Sequence, residues 1–233
     1  MREQLQLMNK TEYVSWLMYL PRGIERLKEL GVKRIYPAEY LLAAAGEHTR
    51  YCYVILSGRV ISSEYSESGE ERIYSVNGRN SLLLEENLLF DYEVPVNIRT
   101  TVSTELVCID RNTLIESFQE NFEIAVDVLQ SLSMKLLSSV EQMKCMNEHS
   151  AMQKVCNLLL AYAKRYGVAG SDGMMIREKL SQEYIANLLG LNRVTIVRVM
   201  KDLKQQGLVE KKNGYYYLYH IEQMYDYKDE KWA

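Results

Sequence analysis

The chain has 233 residues, of which 47% are hydrophobic and 25% charged, with a formal net charge of −3. That length admits one large domain or two modest ones, and no run approaches the ~20 apolar residues of a membrane span. The apolar stretch VSWLMYL is only seven residues long behind a polar start in which acidic and basic residues balance, too short for a signal peptide, so the expected compartment is the cytoplasm.

The net charge conceals an asymmetry. Residues 1–149 hold 15 Lys and Arg against 22 Asp and Glu, whereas residues 150–233 hold 13 against 9. An acidic front and a basic back point to two domains with different partners. Cys52, Cys108, Cys145 and Cys156 have no paired spacing and sit mostly in apolar patterns, as inert buried thiols do. Together with the scattered His48, His149 and His220 they give no zinc-ligand pattern and no iron–sulfur spacing, so no metal or cluster is expected.

The first ~30 residues read as helical, with Leu27 and Leu30 on one side and Gly31 as the stop. From Lys33 to about Arg111, short β-branched and aromatic runs such as YCYVILSGRVISSEY and ERIYSVNGRNSLLL are punctuated by Gly46, Gly58, Gly69 and Gly78. Runs at that spacing predict an antiparallel sandwich or barrel, with the turn of one hairpin at Glu67–Glu70. NIRTTVSTELVCID supplies the last strands.

A long helix follows. With Phe122, Leu129, Leu136 and Met143 as a positions, the d positions are Ala125, Leu132, Ser139 and Met146. Seven of these eight residues are apolar, a seam that suits a helix pairing with a copy of itself. Leu137 and Val140 widen the stripe, so a helix lying on its own sheet also satisfies the pattern. The domain limits are therefore set at 1–118 for a β-barrel, 119–148 for a dimerisation helix and 149–233 for a basic C-terminal domain.

In the C-terminal part a helix over Met152–Tyr166 stops at Gly167, and VAGSDG is a loop. Ser181 caps a short helix, QEYIANLL, that ends at Gly190, and Asn192 caps another that runs to about Gln206. The turn Asn213-Gly214 then joins LVEKK to YYYLYH as a hairpin. In the second of the paired helices Ile196, Val199, Met200 and Leu203 form a core stripe. The opposite face carries Arg193, Val194, Val197, Arg198 and Lys201. Two valines on a solvated face are anomalous, but they are at home on the first turns of a helix that enters a major groove, where arginine reads guanine and valine packs on a thymine methyl. Arg193, Val194, Val197 and Arg198 are thus the expected base-reading residues. Lys179, Ser181, Lys201, Lys204, Lys211 and Lys212 are the expected phosphate contacts. The alternative is a basic face in water.

These residues resemble the bacterial Crp/Fnr transcription regulators, related to the cyclic-AMP receptor protein. YVILSGRV is similar to the family's strand–Gly–strand signature, with Gly58 at its turn. SLLLEENLL occupies the place of its Gly-Glu segment, with Glu85 kept and Leu84 where glycine is usual. SQEYIANLLGLNRVTIVRVMKDLKQQGLV resembles its helix-turn-helix almost position by position. The resemblance implies an α+β fold: an N-terminal antiparallel, jelly-roll-like β-barrel that senses an effector, a long dimerisation helix, and a C-terminal winged helix-turn-helix. It also implies a homodimer on a near-palindromic duplex, with RNA polymerase downstream. Leu129, Leu132, Leu136, Met143 and Met146 would then form the dimer seam.

Two departures from the family bear on function. Cyclic-AMP receptors hold the phosphate with an Arg-Ser pair, but VPVN stands here, with Val94 and Pro95 at or beside the place and Arg99 the nearest substitute. A phosphodiester needs a charge partner, so the expected effector is a different, unidentified small molecule. Second, many relatives carry a glutamate at the position of Val194, and its loss is expected to shift the preferred half-site towards thymine. Arg72, Tyr74, Glu85, Arg99 and Ser139 are the expected pocket residues, Ser139 serving either as a ligand contact or as a polar seam residue that sets register. A strict cyclic-nucleotide receptor, a haem-responsive regulator using His48 and a redox switch on Cys145 and Cys156 remain alternatives. No nucleophile–base pair or metal triad marks an enzyme.

Overall fold

The computed structural model describes residues 17–18, 24–148, 150–170 and 173–229. The expected N-terminal helix lies largely outside them. Its described parts are α1 (Ile24–Lys28), which ends before Gly31, and the short strand β1 (Leu17–Met18).

Eight further strands build the N-terminal half: β2 (Val32–Tyr36), β3 (Leu41–Ala43), β4 (Tyr51–Ser57), β5 (Val60–Tyr65), β6 (Glu71–Asn77), β7 (Leu82–Leu83), β8 (Asn97–Thr100) and β9 (Thr104–Asp110). They form two sheets, of order β1-β6-β5-β8-β3 and β2-β9-β4-β7. Every pairing is antiparallel except the parallel edge pair β1–β6. The jelly-roll-like domain is therefore a sandwich of two open sheets rather than a closed ring.

The apolar run YCYVIL is explained by its position. Strand β4 is central in its sheet and is covered on both faces, so both sets of alternating side chains are buried. Tyr53 and Ile55, with Leu106 and Cys108 of β9, pack against Ala43, Val60 and Ile98 of the opposite sheet. Cys52 and Val54, with Val107 and Ile109, face the helices instead, meeting Leu27, Leu88, Leu114, Ile124 and Val128. Gly58, at φ +93, turns β4 into β5 where a Cβ would lie 2.4 Å from the Thr104 hydroxyl, so glycine is required there.

The helices of this half are α2 (Glu85–Phe90), α3 (Arg111–Glu120) and the 27-residue α4 (Phe122–Glu148). Asp110 caps α3 through the amides of Asn112 and Thr113. Asn121, in extended conformation, breaks the chain between α3 and α4.

The chain divides into two compact units, with the boundary between Val140 and Glu141, inside α4. The C-terminal unit contains α5 (Ala151–Tyr166), β10 (Gly167–Ala169), β11 (Met174–Ile176), α6 (Gln182–Leu189), α7 (Arg193–Gln205), β12 (Val209–Lys212), β13 (Tyr215–Leu218) and α8 (Ile221–Asp229). Its sheet has the order β10-β11-β13-β12. VAGSDG, expected as a loop, begins within β10, and neither β11 nor α8 is expected from the sequence. Three-residue strands carry too few positions to show a period of two. Helix α8 is short and acidic, and among its described side chains it buries only Ile221 and Met224.

Candidate nucleic-acid interface and effector site

Helices α6 and α7 form the helix-turn-helix. Ser181 accepts from the Tyr184 amide to cap α6, and Asn192 accepts from the Val194 amide to cap α7. Gly190, at φ 58 and ψ 42, ends α6 in the left-handed conformation, and Leu191 links it to the cap. Ile196, Val199, Met200 and Leu203 are buried, which fixes the rotation of α7 about its axis. Arg193, Val194, Val197, Arg198 and Lys201 consequently point outward, with Val194 76% and Val197 43% exposed. Among the described residues no ion pair engages Arg193, Arg198, Lys201 or Lys204.

The remaining cations are restrained. Lys179 lies 5.4 Å from the centre of the Tyr215 ring. The Lys211 ammonium donates to the Leu180 carbonyl at 2.9 Å and stands 4.7 Å from the Tyr216 ring centre. Lys212 pairs with Glu210 at 2.6 Å. Asn213 (φ 52) and Gly214 (φ 87) make the tight turn of the wing between β12 and β13, as two successive positive φ values require.

In the sandwich, the expected pocket residues are spread over several environments. Arg99 is held by Glu39 at 2.5 Å and Glu71 at 2.7 Å. Against the cost of burial, these carboxylates keep its guanidinium charged. Arg72 is half-buried, and burial lowers its proton affinity. Tyr74 donates to Glu64, and burial together with that bond raises its phenol. The exposed Ser139 donates to the Lys135 carbonyl one turn back at 2.9 Å. Val94 is fully buried in the inter-sheet core beside Leu83, Leu84 and Ile98. Leu84 itself holds φ 62, ψ 13, a left-handed geometry that suits glycine.

Glu85 is 0% exposed. It accepts from the Ser131 hydroxyl at 2.5 Å and from the Lys135 ammonium at 2.6 Å, and Lys135 also pairs with Glu86 at 2.6 Å. The reading of the sequence singled out Glu85 but missed Ser131 and Lys135. A lysine beside an apolar heptad reads as a solvated flank, and periodicity carries no signal that it is buried against a carboxylate.

Along α4 the seam residues Leu129, Leu136, Met143 and Met146 are exposed, as is Phe122, whereas Leu132 is partly buried against the sandwich. Cys145 and Cys156 are buried free thiols whose burial pushes them up to about 11 and about 12, which disfavours the reactive thiolate. Among the described residues, no group of three or more His, Cys, Asp or Glu is placed to hold a metal ion. No described helix is long and apolar enough to cross a membrane.

A model of the cyclic nucleotide-binding domain matches residues 33–121, and one of the Crp-like helix-turn-helix domain matches residues 153–227. Over 166 residues the chain is 26% identical to a global nitrogen regulator of Nostoc sp., covering 70% of this chain and 74% of that one. Over 175 residues it is 25% identical to a CRP-like cAMP-activated global transcriptional regulator of Mycobacterium tuberculosis, covering 75% and 78%. The solved structure of FixK2 from Bradyrhizobium japonicum superposes with a TM-score of 0.74 at 20% identity, over 87% of this chain and 99% of that one. At that identity the likeness is one of fold.

Proposed function

The chain belongs to the Crp/Fnr family of DNA-binding transcription regulators, and from that premise we propose that it acts in the cytoplasm as a homodimer that reads a near-palindromic duplex. The observation that carries this reading is the outward face of α7. Its cap and core stripe leave Arg193, Val194, Val197 and Arg198 on the first two turns, exposed and without ion pairs among the described residues. Arginine at such a position makes a bidentate contact to guanine, and valine covers a thymine methyl. Lys201 and Lys204 contact phosphates, with Lys179, Ser181, Lys211 and Lys212 flanking them from the α6 end and the wing. The two copies pair through Leu129, Leu132, Leu136, Met143 and Met146, and RNA polymerase is the partner downstream.

The N-terminal domain responds to a small molecule other than a cyclic nucleotide. Two observations support this. Buried Val94 stands at or beside the expected phosphate position, and Arg99 is already paired with Glu39 and Glu71. Selection of bound duplexes from a random library tests the DNA reading. It predicts enrichment of a near-palindrome whose half-sites lie about one helical turn, ~34 Å, apart. Recovery of unenriched sequence would refute it.

A further inference from the structure

A helix packed on a domain ordinarily buries an apolar stripe and turns its polar side to water. Within the N-terminal unit, α4 partly reverses this. Asp127, Ser131 and Ser138 are buried and Lys135 is half-buried, at spacings of three and four that place them in one line along the helix. On the other side Phe122, Leu129 and Leu136 are exposed, Leu136 at 66%. Ile124 and Val128 provide apolar contact beside the polar line.

The polar line is tied down at two levels. Asp127 accepts from Arg26 of α1 at 2.9 Å. One and two turns on, Ser131 and Lys135 reach Glu85, and Lys135 reaches Glu86 as well, so both carboxylates at the start of α2 share one ammonium. Apolar packing alone is non-directional and leaves a helix free to slip or rotate. Two ionic ties about 12 Å apart along the axis fix its rotation, the best-attested use of buried polar groups.

We propose that Lys135, with Ser131, is a latch that locks α4 onto the sandwich through Glu85 and Glu86, so that the apolar stripe is presented for self-association with no small molecule bound. The cation that satisfies Glu85 comes from the protein itself. Lys135 is thus a positioning residue, and the consequence for self-association rests on the dimer reading above, whereas the latch does not.

Amide hydrogen exchange on the full chain without added ligand tests the latch. In the native protein the α4 amides of residues 127–138 are expected to be protected to within about ten-fold of the core strands β4 and β9. In the double variant Glu85→Gln/Lys135→Met they should lose at least ten-fold of that protection while β4 and β9 keep theirs. Lys135→Arg, which retains a cation, should stay native-like. Leu136→Glu, which spoils the stripe but not the ties, should also keep α4 protected, even where sedimentation shows that self-association is lost. An unprotected α4 in the native chain, or native protection in the double variant, would overturn the proposal. So would a Leu136→Glu chain that loses as much protection as the double variant, because a second copy would then be holding the helix.

Discussion

Lys201 and Lys204 extend from the outward side of α7 with no ion pair among the described residues, whereas Lys211 and Lys212 are engaged by the Leu180 carbonyl and Glu210. Lysines without ion pairs release counterions most directly when they meet phosphate. Lys201→Ala or Lys204→Ala should therefore weaken binding evenly across sequences and lower the slope of log affinity against log salt by about one. An unchanged slope, read by anisotropy across a salt series, would remove that lysine from the interface. A second residue-level expectation concerns pH. Two carboxylates share one ammonium around Lys135, and the Cys52 thiol lies near them. Burial first, and then Glu86, push the Glu85 carboxyl up to about 7, while Glu86 stays ionised and keeps Lys135 paired. The folded chain then binds this proton more tightly than the unfolded one. Its contribution to stability is complete below the ordinary carboxylate range, near pH 4.5, and is lost as pH rises through about 7. Urea unfolding at fixed protein concentration should show native stability falling relative to Glu85→Gln, at up to roughly 1.4 kcal/mol per pH unit. Parallel pH profiles for the two proteins would contradict this.

At the scale of elements, α4 carries the clearest consequence. Leu136 is exposed in the single chain, so Leu136→Glu should cost the isolated fold little, yet it puts a charge in the middle of an apolar seam. Sedimentation velocity should show self-association weakened by at least ten-fold, with the thermal midpoint at low concentration nearly unchanged. Equal association of variant and native chains would exclude this face as the seam. The same helix shows why the sequence was legible in part. Its heptad marks Phe122, Leu129, Leu136, Met143 and Met146, which are exposed, but also Leu132, which is partly buried against the sandwich. The tied side carries the same helical spacing at Asp127, Ser131 and Lys135, but polar residues so spaced read as a solvated face, and their partners Arg26, Glu85 and Glu86 lie far away in the sequence. The helix-turn-helix was legible throughout because caps, a left-handed glycine and a core stripe each leave a local mark at Ser181, Asn192, Gly190 and Ile196. Leu84 is the opposite case. The backbone keeps a geometry that suits glycine, and nothing in leucine announces it. Strands β10 and β11 and helix α8 are stabilised by contacts across the C-terminal unit, which a local window does not contain.

At the scale of the whole molecule, the acidic front and basic back are two halves with separate chemistries, a sandwich in which Arg99 and Lys135 are paired with carboxylates and a reading head in which Arg193, Arg198, Lys201 and Lys204 have no ion pair among the described residues. Calorimetric titration with cyclic AMP and cyclic GMP should give no heat up to millimolar concentration, because Val94 offers no charge and both terminal nitrogens of Arg99 are paired with Glu39 and Glu71. Micromolar binding would show that another group holds the phosphate and would return the chain to the cyclic-nucleotide receptors, leaving the DNA function intact. The central claim is that the outward face of α7 reads bases, and one comparison addresses it most directly. Affinities of the native chain and Arg198→Ala are measured on the selected duplex and on a scrambled duplex of the same length and salt. The account predicts a loss of about 1–3 kcal/mol on the selected duplex, relaxed preference at one base pair, and little change on the scrambled one. An equal loss on both would mean that Arg198 meets only phosphate, and that the face assigned to base reading is merely basic.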